Sequence, residues 1–241
     1  PRNYLYKLYA RFLKRYQPRM FVFENVYGLL TMKNEQNGPI IRNVKESFND
    51  LSSFGDVSGY DVFTKLINAK DFGVPQNRER VWIFASLEKL PDDFTLTPFS
   101  TCGSGHIKNF LDAIDDIDEN HYLSEQQVTR LKERLGIASF KVDEPLCLDV
   151  YNKKIKTDGI CPTLTDPKHC SLRVLESRRG KEEVRKMSIN EMFKLMGLGD
   201  LEVDLARLSY SQLATRAGNG WDVNVTSILM ENIFKQLGII K

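Results

Sequence analysis

Leu5, Leu8, Tyr9, Phe12, Leu13 and Tyr16 recur three and four residues apart, with lysines and arginines between them. That spacing predicts an amphipathic helix over residues 2–17, leaning on a sheet. After Pro18 the pattern changes. Met20-Phe21-Val22-Phe23 is an apolar run too short for a helix core and rich in aromatic and β-branched types. It predicts a strand over 20–26, buried on both faces as in the middle of a parallel sheet. A turn follows at Gly28, and Pro39 opens a second helix with the stripe Ile40, Ile41, Val44, Phe48 and Leu51. Gly55 and Gly59 then break the chain. Tyr60, Val62, Thr64 and Leu66 alternate as a strand, and the loop 71–80 leads into a second buried run, Val81-Trp82-Ile83-Phe84-Ala85. Two strands this close in sequence are expected to pair antiparallel. Residues 1–86 therefore read as the closing part of an α/β domain.

From Leu87 to about Lys186 the pattern loosens into short apolar pieces separated by prolines such as Pro91, Pro145, Pro162 and Pro167. One helix is expected there, from Ser124 as N-cap to Leu135, with Val128, Leu131 and Leu135 as its stripe. The acidic run 112–119 reads as a solvated face or turn. Arg173, Arg178, Arg179, Lys181, Arg185 and Lys186 cluster, diluted by Glu176, Glu182 and Glu183. Ser188-Ile189-Asn190-Glu191 is a capping box that opens a helix carrying Met192, Phe193, Leu195 and Met196 and stopping at Gly197. Ala217-Gly218-Asn219-Gly220-Trp221 turns into a last helix with Val225, Ile228, Leu229 and Ile233 as its stripe.

Composition narrows the classes. With 241 residues, 41% hydrophobic and 27% charged, the chain has the make-up of a soluble globular protein of one large domain or two modest ones. A net charge of +2 argues against whole-surface attraction to nucleic acid and leaves room for a locally basic cleft. No apolar run approaches the ~20 residues of a membrane span, and no signal peptide is read ahead of Pro1. The cysteines Cys102, Cys147, Cys161 and Cys170 form no Cys-x-x-Cys pair and no zinc spacing with His106, His121 or His169. They are expected to be reduced thiols of a cytoplasmic, bacterial protein. Pro1 in place of an initiating methionine is taken as the mark of a piece of something longer.

The candidate chemistry starts at Glu24. Open α/β sheets bind ligands at the carboxyl ends of their strands, where Glu24 and Asn25 stand. A carboxyl at the edge of an apolar run is partly desolvated, which favours its protonated form and lets it donate a proton near neutral pH. Equally, Glu24 could cap the segment after the strand.

The order of motifs decides more. Glu24-Asn25-Val26, then Gln76-Asn77-Arg78-Glu79-Arg80, resemble the Glu-Asn-Val and Gln-x-Arg-x-Arg motifs of DNA cytosine-5 methyltransferases. Cys161-Pro162-Thr163-Leu164-Thr165 is similar to the Pro-Thr-Leu element of their variable region. Residues 185–198 and Gly218-Asn219-Gly220 resemble the family's ninth and tenth motifs. The resemblance covers nearly the whole chain, and a long variable stretch separates its second element from its third. It implies an α/β fold: the C-terminal part of a Rossmann-like, S-adenosylmethionine-dependent methyltransferase sheet over 1–86, a small loop-rich target-recognition domain over 87–213, and a segment over 214–241 that returns to the catalytic domain.

In that family a cysteine thiolate adds to carbon 6 of a flipped-out cytosine, and carbon 5 then takes the methyl of S-adenosylmethionine. The resemblance gives Glu24 the contact to ring nitrogen 3 and Arg80 the charge that develops near the exocyclic oxygen. Arg78 would support the active-site loop or the catalytic thiol, and strand alternation would point Arg78 and Arg80 the same way. A salt bridge of Arg80 with Glu79 or Glu35 is the plainer alternative. Asn25, Gln76, Thr163 and Thr165 become expected substrate contacts, and Gly218 and Asn219 expected cofactor contacts. Residues 87–186 would read double-stranded DNA in the major groove.

Two departures stand out. The family's Pro-Cys nucleophile and its glycine-rich cofactor loop are not in this sequence, and Cys161 precedes its proline instead of following it. Gly220 stands where the family has serine. The expectation is thus the acid, the arginines and the recognition part of the enzyme, with the N-terminal half on the same polypeptide or on a separate subunit. A catalytically silent DNA-binding or regulatory homologue is the alternative, against which the retained Glu24, Arg78 and Arg80 argue. A generic nucleotide-binding enzyme lacks its glycine-rich phosphate loop here.

Overall fold

The computed structural model of the chain describes residues 5–52, 59–97, 105–167, 170–199 and 207–241; Gly55, Cys102 and His169 lie outside them. By internal packing the chain forms two compact units. One comprises Pro1–Ile67, Glu79–Thr97 and Glu231–Lys241, the other Asn68–Arg78 and Pro98–Met230. These cuts fall elsewhere than residues 86 and 213.

The first unit is a three-stranded sheet with helices on one face. Its elements are α1 (Leu5–Tyr16), β1 (Met20–Val26), a one-turn α2 (Gly28–Thr31) where only a turn was expected, α3 (Ile40–Asn49), β2 (Asp61–Asn68) and β4 (Glu79–Ser86). The strand order is β1-β4-β2, and β1 runs antiparallel to β4 from Met20 opposite Ser86 to Val26 opposite Arg80. Central β4 is the strand buried on both faces. Val81, Ile83 and Ala85 join Ala10, Leu13, Val44, Phe48 and Leu51 in the core. On the other face Phe84 stacks on Phe94 at 5.1 Å. β1 was expected to be that doubly buried strand; it is an edge, half-buried, because no second neighbour covers it among the described residues.

α1 also turns a different face inward. Tyr6, Ala10 and Leu13 are buried, with Tyr9 packed against them, while Leu5, Leu8, Phe12 and Tyr16 are exposed. The helix has two apolar stripes, and periodicity alone cannot choose between them. β2 shows a similar shift: Ile67 is buried and Leu66 is exposed.

In the second unit, the region expected to be loop-rich holds a four-stranded antiparallel sheet. Its strands are β5 (Leu146–Asp149), β6 (Lys154–Lys156), β8 (Leu172–Arg178) and β9 (Lys181–Arg185), in the order β6-β5-β8-β9. Helix α4 (Glu125–Leu135) begins at Ser124 with a full capping box to Gln127, and Leu131 packs on Leu148, Leu175 and Val184. α5 (Ile189–Leu195) begins at Ser188, also with a capping box, and Gly197 follows at φ +73°. α6 (Tyr210–Asn219) has no counterpart in the expected elements, so Ala217-Gly218-Asn219 is a helix end and not a turn. α7 (Val223–Gln236) buries Val225, Leu229 and Ile233 as its stripe.

A short parallel pair joins two motifs directly: β3 (Gln76–Asn77) lies against β7 (Cys161–Pro162). Two members of the basic cluster, Arg178 and Arg185, are used in structural pairs. Arg185 is fully buried, with both Glu176 and Glu191 at 2.7 Å. Arg178 pairs with Glu119 at 2.6 Å. Asp112 leaves the solvated acidic run and accepts hydrogen bonds from Ser188 and Asn190 at the start of α5 and from Lys194 in its last turn. Among the described residues no helix is long and apolar enough to cross a membrane.

Candidate active site

Glu24 and Arg80 face each other across the β1–β4 ladder. Glu24 lies opposite Trp82 and Arg80 opposite Val26, so the two are diagonal neighbours on one face of the sheet. Their charged groups meet at 2.9 Å, Nε to Oε1, with side chains 15% and 14% exposed. Arg80 also donates to the Glu79 carbonyl at 2.8 Å. Burial pushes the Arg80 guanidinium below its ordinary value, and Glu24 pulls it back up. The pair is thus shielded but reachable. Glu24 does not cap the helix after its strand, since Tyr27 holds the N-cap of α2 and no side chain caps it. Asn25 turns its Oδ1 onto the Val26 amide at 2.9 Å.

Arg78 belongs to the second unit and does different work. It sits between β3 and β4, outside both strands, so alternation with Arg80 does not apply to it. It is 4% exposed and donates to three carbonyls: Leu164 at 3.0 Å, Gly218 at 3.2 Å and Gly220 at 2.8 Å. One guanidinium, with its rigid fork of donors, thereby ties the Thr163-Leu164-Thr165 segment to the end of α6. Gln76, fully buried, accepts from the Leu164 amide at 3.0 Å and donates to the Met196 sulfur at 3.9 Å. Its amide is used inside the fold. The Thr163 hydroxyl donates to the Asn77 carbonyl at 2.6 Å, whereas the buried Thr165 hydroxyl has no partner among the described residues.

The α6 end is packed as closely as the chain permits. A Cβ on Gly218 would stand 2.4 Å from the Thr165 carbonyl carbon, and Thr215 donates to Asp166 at 3.0 Å. Next in the chain, Asp222 is 4% exposed, with one carboxylate oxygen bonded to the Val225 amide and the other without a partner among the described residues. Burial raises its carboxyl above the ordinary range, and the charge of Arg78 works against that rise. Sequence reasoning missed Asp222; an acid just ahead of a helical stripe is an N-cap signal that could have flagged it.

The family model for C-5 cytosine-specific DNA methylases matches residues 1–235. The chain belongs to this family. It is 29% identical to type II methyltransferase M.HaeII of Haemophilus aegyptius, over 94% of this chain and 64% of that protein. It is 26% identical to orphan methyltransferase M.SPBetaI of Bacillus phage SPbeta, over 92% of this chain and 66% of that protein. The chain therefore spans just under two thirds of the length of these curated relatives. A structure of a putative DNA modification methyltransferase encoded within an E. coli prophage shares the fold, with a TM-score of 0.65, 21% identity and coverage of 98% of this chain and 75% of that one.

Members of the methylase family generally use S-adenosylmethionine, and the residues present fit it only at an edge. Gly218 packs on the Thr165 and Asp166 backbone and leaves no cradle, and Asn219 alone of the two is exposed.

Proposed function

We propose that this chain supplies the acid, the arginines and the DNA-reading part of a DNA cytosine-5 methyltransferase of a restriction-modification system. The observation that carries this reading is the shielded Glu24–Arg80 pair at 2.9 Å, one acid and one fixed cation on a single sheet face. When a thiolate adds to carbon 6 of cytosine, negative charge spreads onto ring nitrogen 3 and the exocyclic oxygen. A carboxyl at the first and a guanidinium at the second stabilise the adduct, and the methyl acceptor at carbon 5 becomes nucleophilic. Glu24 and Arg80 take these roles. The base must leave the duplex stack to reach them, at a cost of a few kcal/mol.

Arg78 and Gln76 are positioning residues in this reading, since their polar groups hold the Thr163–Thr165 segment in place. Asn25, Thr163 and Thr165 remain the residues offered to substrate, and Asn219 the one offered to cofactor. The nucleophile is assigned to a segment outside these 241 residues, because no cysteine here follows a proline. Cys161 is buried with Cys147 beside it, and burial pushes its thiol well up, opposite to what a nucleophile needs.

The test is adduct formation on duplex DNA containing 5-fluorocytosine, which traps the thiol–carbon 6 bond after methyl transfer. The chain alone should give no denaturation-resistant gel shift. Together with a family segment carrying Pro-Cys and the glycine-rich loop, on one polypeptide or as a second subunit, it should give one. An adduct from the chain alone would make one of its own four cysteines the nucleophile and sink this division.

A further inference from the structure

Protein interiors close to within about the size of a water molecule, so a larger void needs a reason. The second unit holds one of about 60 Å³, lined by residues of α5, α6 and β8 and of the segments beside them. Its walls are apolar. Leu172, Met187, Met192 and Ala214 all line it and are each at most 5% exposed. Leu164 lines it too, with its amide bonded to Gln76 and its carbonyl to Arg78, so the walls are fixed before anything enters.

Two cations reach the same cavity. Arg173 and Lys186 both line it, and neither is paired with an acid among the described residues. Arg173 gives one amino group to the Cys170 and Leu172 carbonyls, at 3.2 and 2.7 Å. Its other donors have no partner among the described residues, and a guanidinium has five in all. Lys186 is exposed. The remaining polar groups nearby are spent. The Tyr210 hydroxyl donates to the Met187 carbonyl at 2.9 Å, and Glu191 holds Arg185 with both of its oxygens.

Apolar walls with two cations that lack an acid call for an occupant that is apolar at one end and anionic at the other. An inorganic anion, with oxygens on every side, would be desolvated against Leu172 and the methionines without gaining a donor there. Size narrows the class further. One water takes about 10–15 Å³ of such space, so the cavity admits about four to six non-hydrogen atoms.

We propose that this cavity binds a short-chain monocarboxylate, with its aliphatic body among Leu172, Met187, Met192 and Ala214 and its carboxylate between Arg173 and Lys186. The proposal does not depend on the roles given to Glu24 and Arg80.

NMR of the intact chain, labelled at its six methionine methyl groups, tests it with sodium butyrate as the probe. Met187 and Met192 line the cavity and the other four methionines do not. Their two signals, identified by Met187→Leu and Met192→Leu, should move and saturate while the rest stay in place. Butyramide, the neutral isostere, should bind about tenfold more weakly, and so should butyrate to Lys186→Gln. Lys186 is exposed, so that replacement should leave the fold intact. Ala214→Leu fills the cavity and should remove both shifts. Butyramide binding as tightly as butyrate would overturn the carboxylate. Displacement of butyrate by inorganic phosphate or by a DNA duplex would make the two cations a phosphate site and overturn the aliphatic occupant. Signals that never saturate would leave the cavity a packing void and overturn the proposal.

Discussion

Gly218 stands in the last turn of α6 with the Thr165 carbonyl carbon 2.4 Å from the place a Cβ would take. Within a helix, Gly→Ala ordinarily stabilises by about 0.5–1 kcal/mol, because alanine has less backbone freedom to lose. Here the obstacle is backbone on the facing segment, which cannot turn aside as a side chain could. Gly218→Ala should therefore destabilise, by about 1–3 kcal/mol in a urea titration, and a stabilised variant would show that the segment yields freely. Asp222 makes a second prediction. Burial raises its folded-state carboxyl above the unfolded value, so the folded chain keeps this proton where the unfolded chain has lost it. Its contribution is most favourable below the unfolded value of about 4 and declines as pH rises through the folded one. Asp222→Asn removes that decline, so its stability relative to wild type should improve from acidic to neutral pH. A difference constant with pH would contradict the assignment. A strand end and a motif mark Glu24, Asn25 and Arg80 in the sequence. That Arg80's counter-charge is Glu24 itself was not legible there, since the partner lies 56 residues away and only the β1–β4 register brings it near.

Capped helices were the most legible elements, since a capping box writes its hydrogen bonds in four consecutive residues. Ser124 and Ser188 open α4 and α5 as expected. The same signal stands at Ser209 and Gln212 and opens α6, where it went unread. Ser188 has more to lose than an ordinary cap. Its hydroxyl accepts from the Glu191 amide and donates to Asp112, while Glu191 holds the buried Arg185. Ser188→Ala should cost about 1–2 kcal/mol by thermal or urea unfolding; a loss near zero would mean water replaces the hydroxyl without cost. The β5-β6-β8-β9 sheet stayed hidden for a different reason. Its strands carry Lys181 and Glu182 on exposed positions, and the β8–β9 turn is Arg179-Gly180, both at positive φ, instead of the Asn-Gly or Asp-Gly that usually announces such a turn. In the proposed division of labour, exchanging 87–186 for the equivalent stretch of a relative should change which sequence is methylated, as restriction-protection mapping would show. An unchanged target would place recognition elsewhere.

At the scale of the molecule, the first unit leaves apolar surface uncovered. The stripe Leu5, Leu8, Phe12 and Tyr16 and the outer edge of β1 both face solvent. Such surface marks an interaction site. The sequence located the motifs of this chain well and its buried faces poorly, because a helix with two apolar stripes carries no mark of which one is covered. In the proposed function the Glu24–Arg80 pair acts on cytosine. Tritiated methyl transfer to duplex DNA by the full enzyme carrying Glu24→Gln, measured beside duplex affinity, tests it most directly. Transfer should fall by orders of magnitude while affinity, set mainly by phosphate contacts elsewhere, changes little. Transfer at close to the wild-type rate would contradict it.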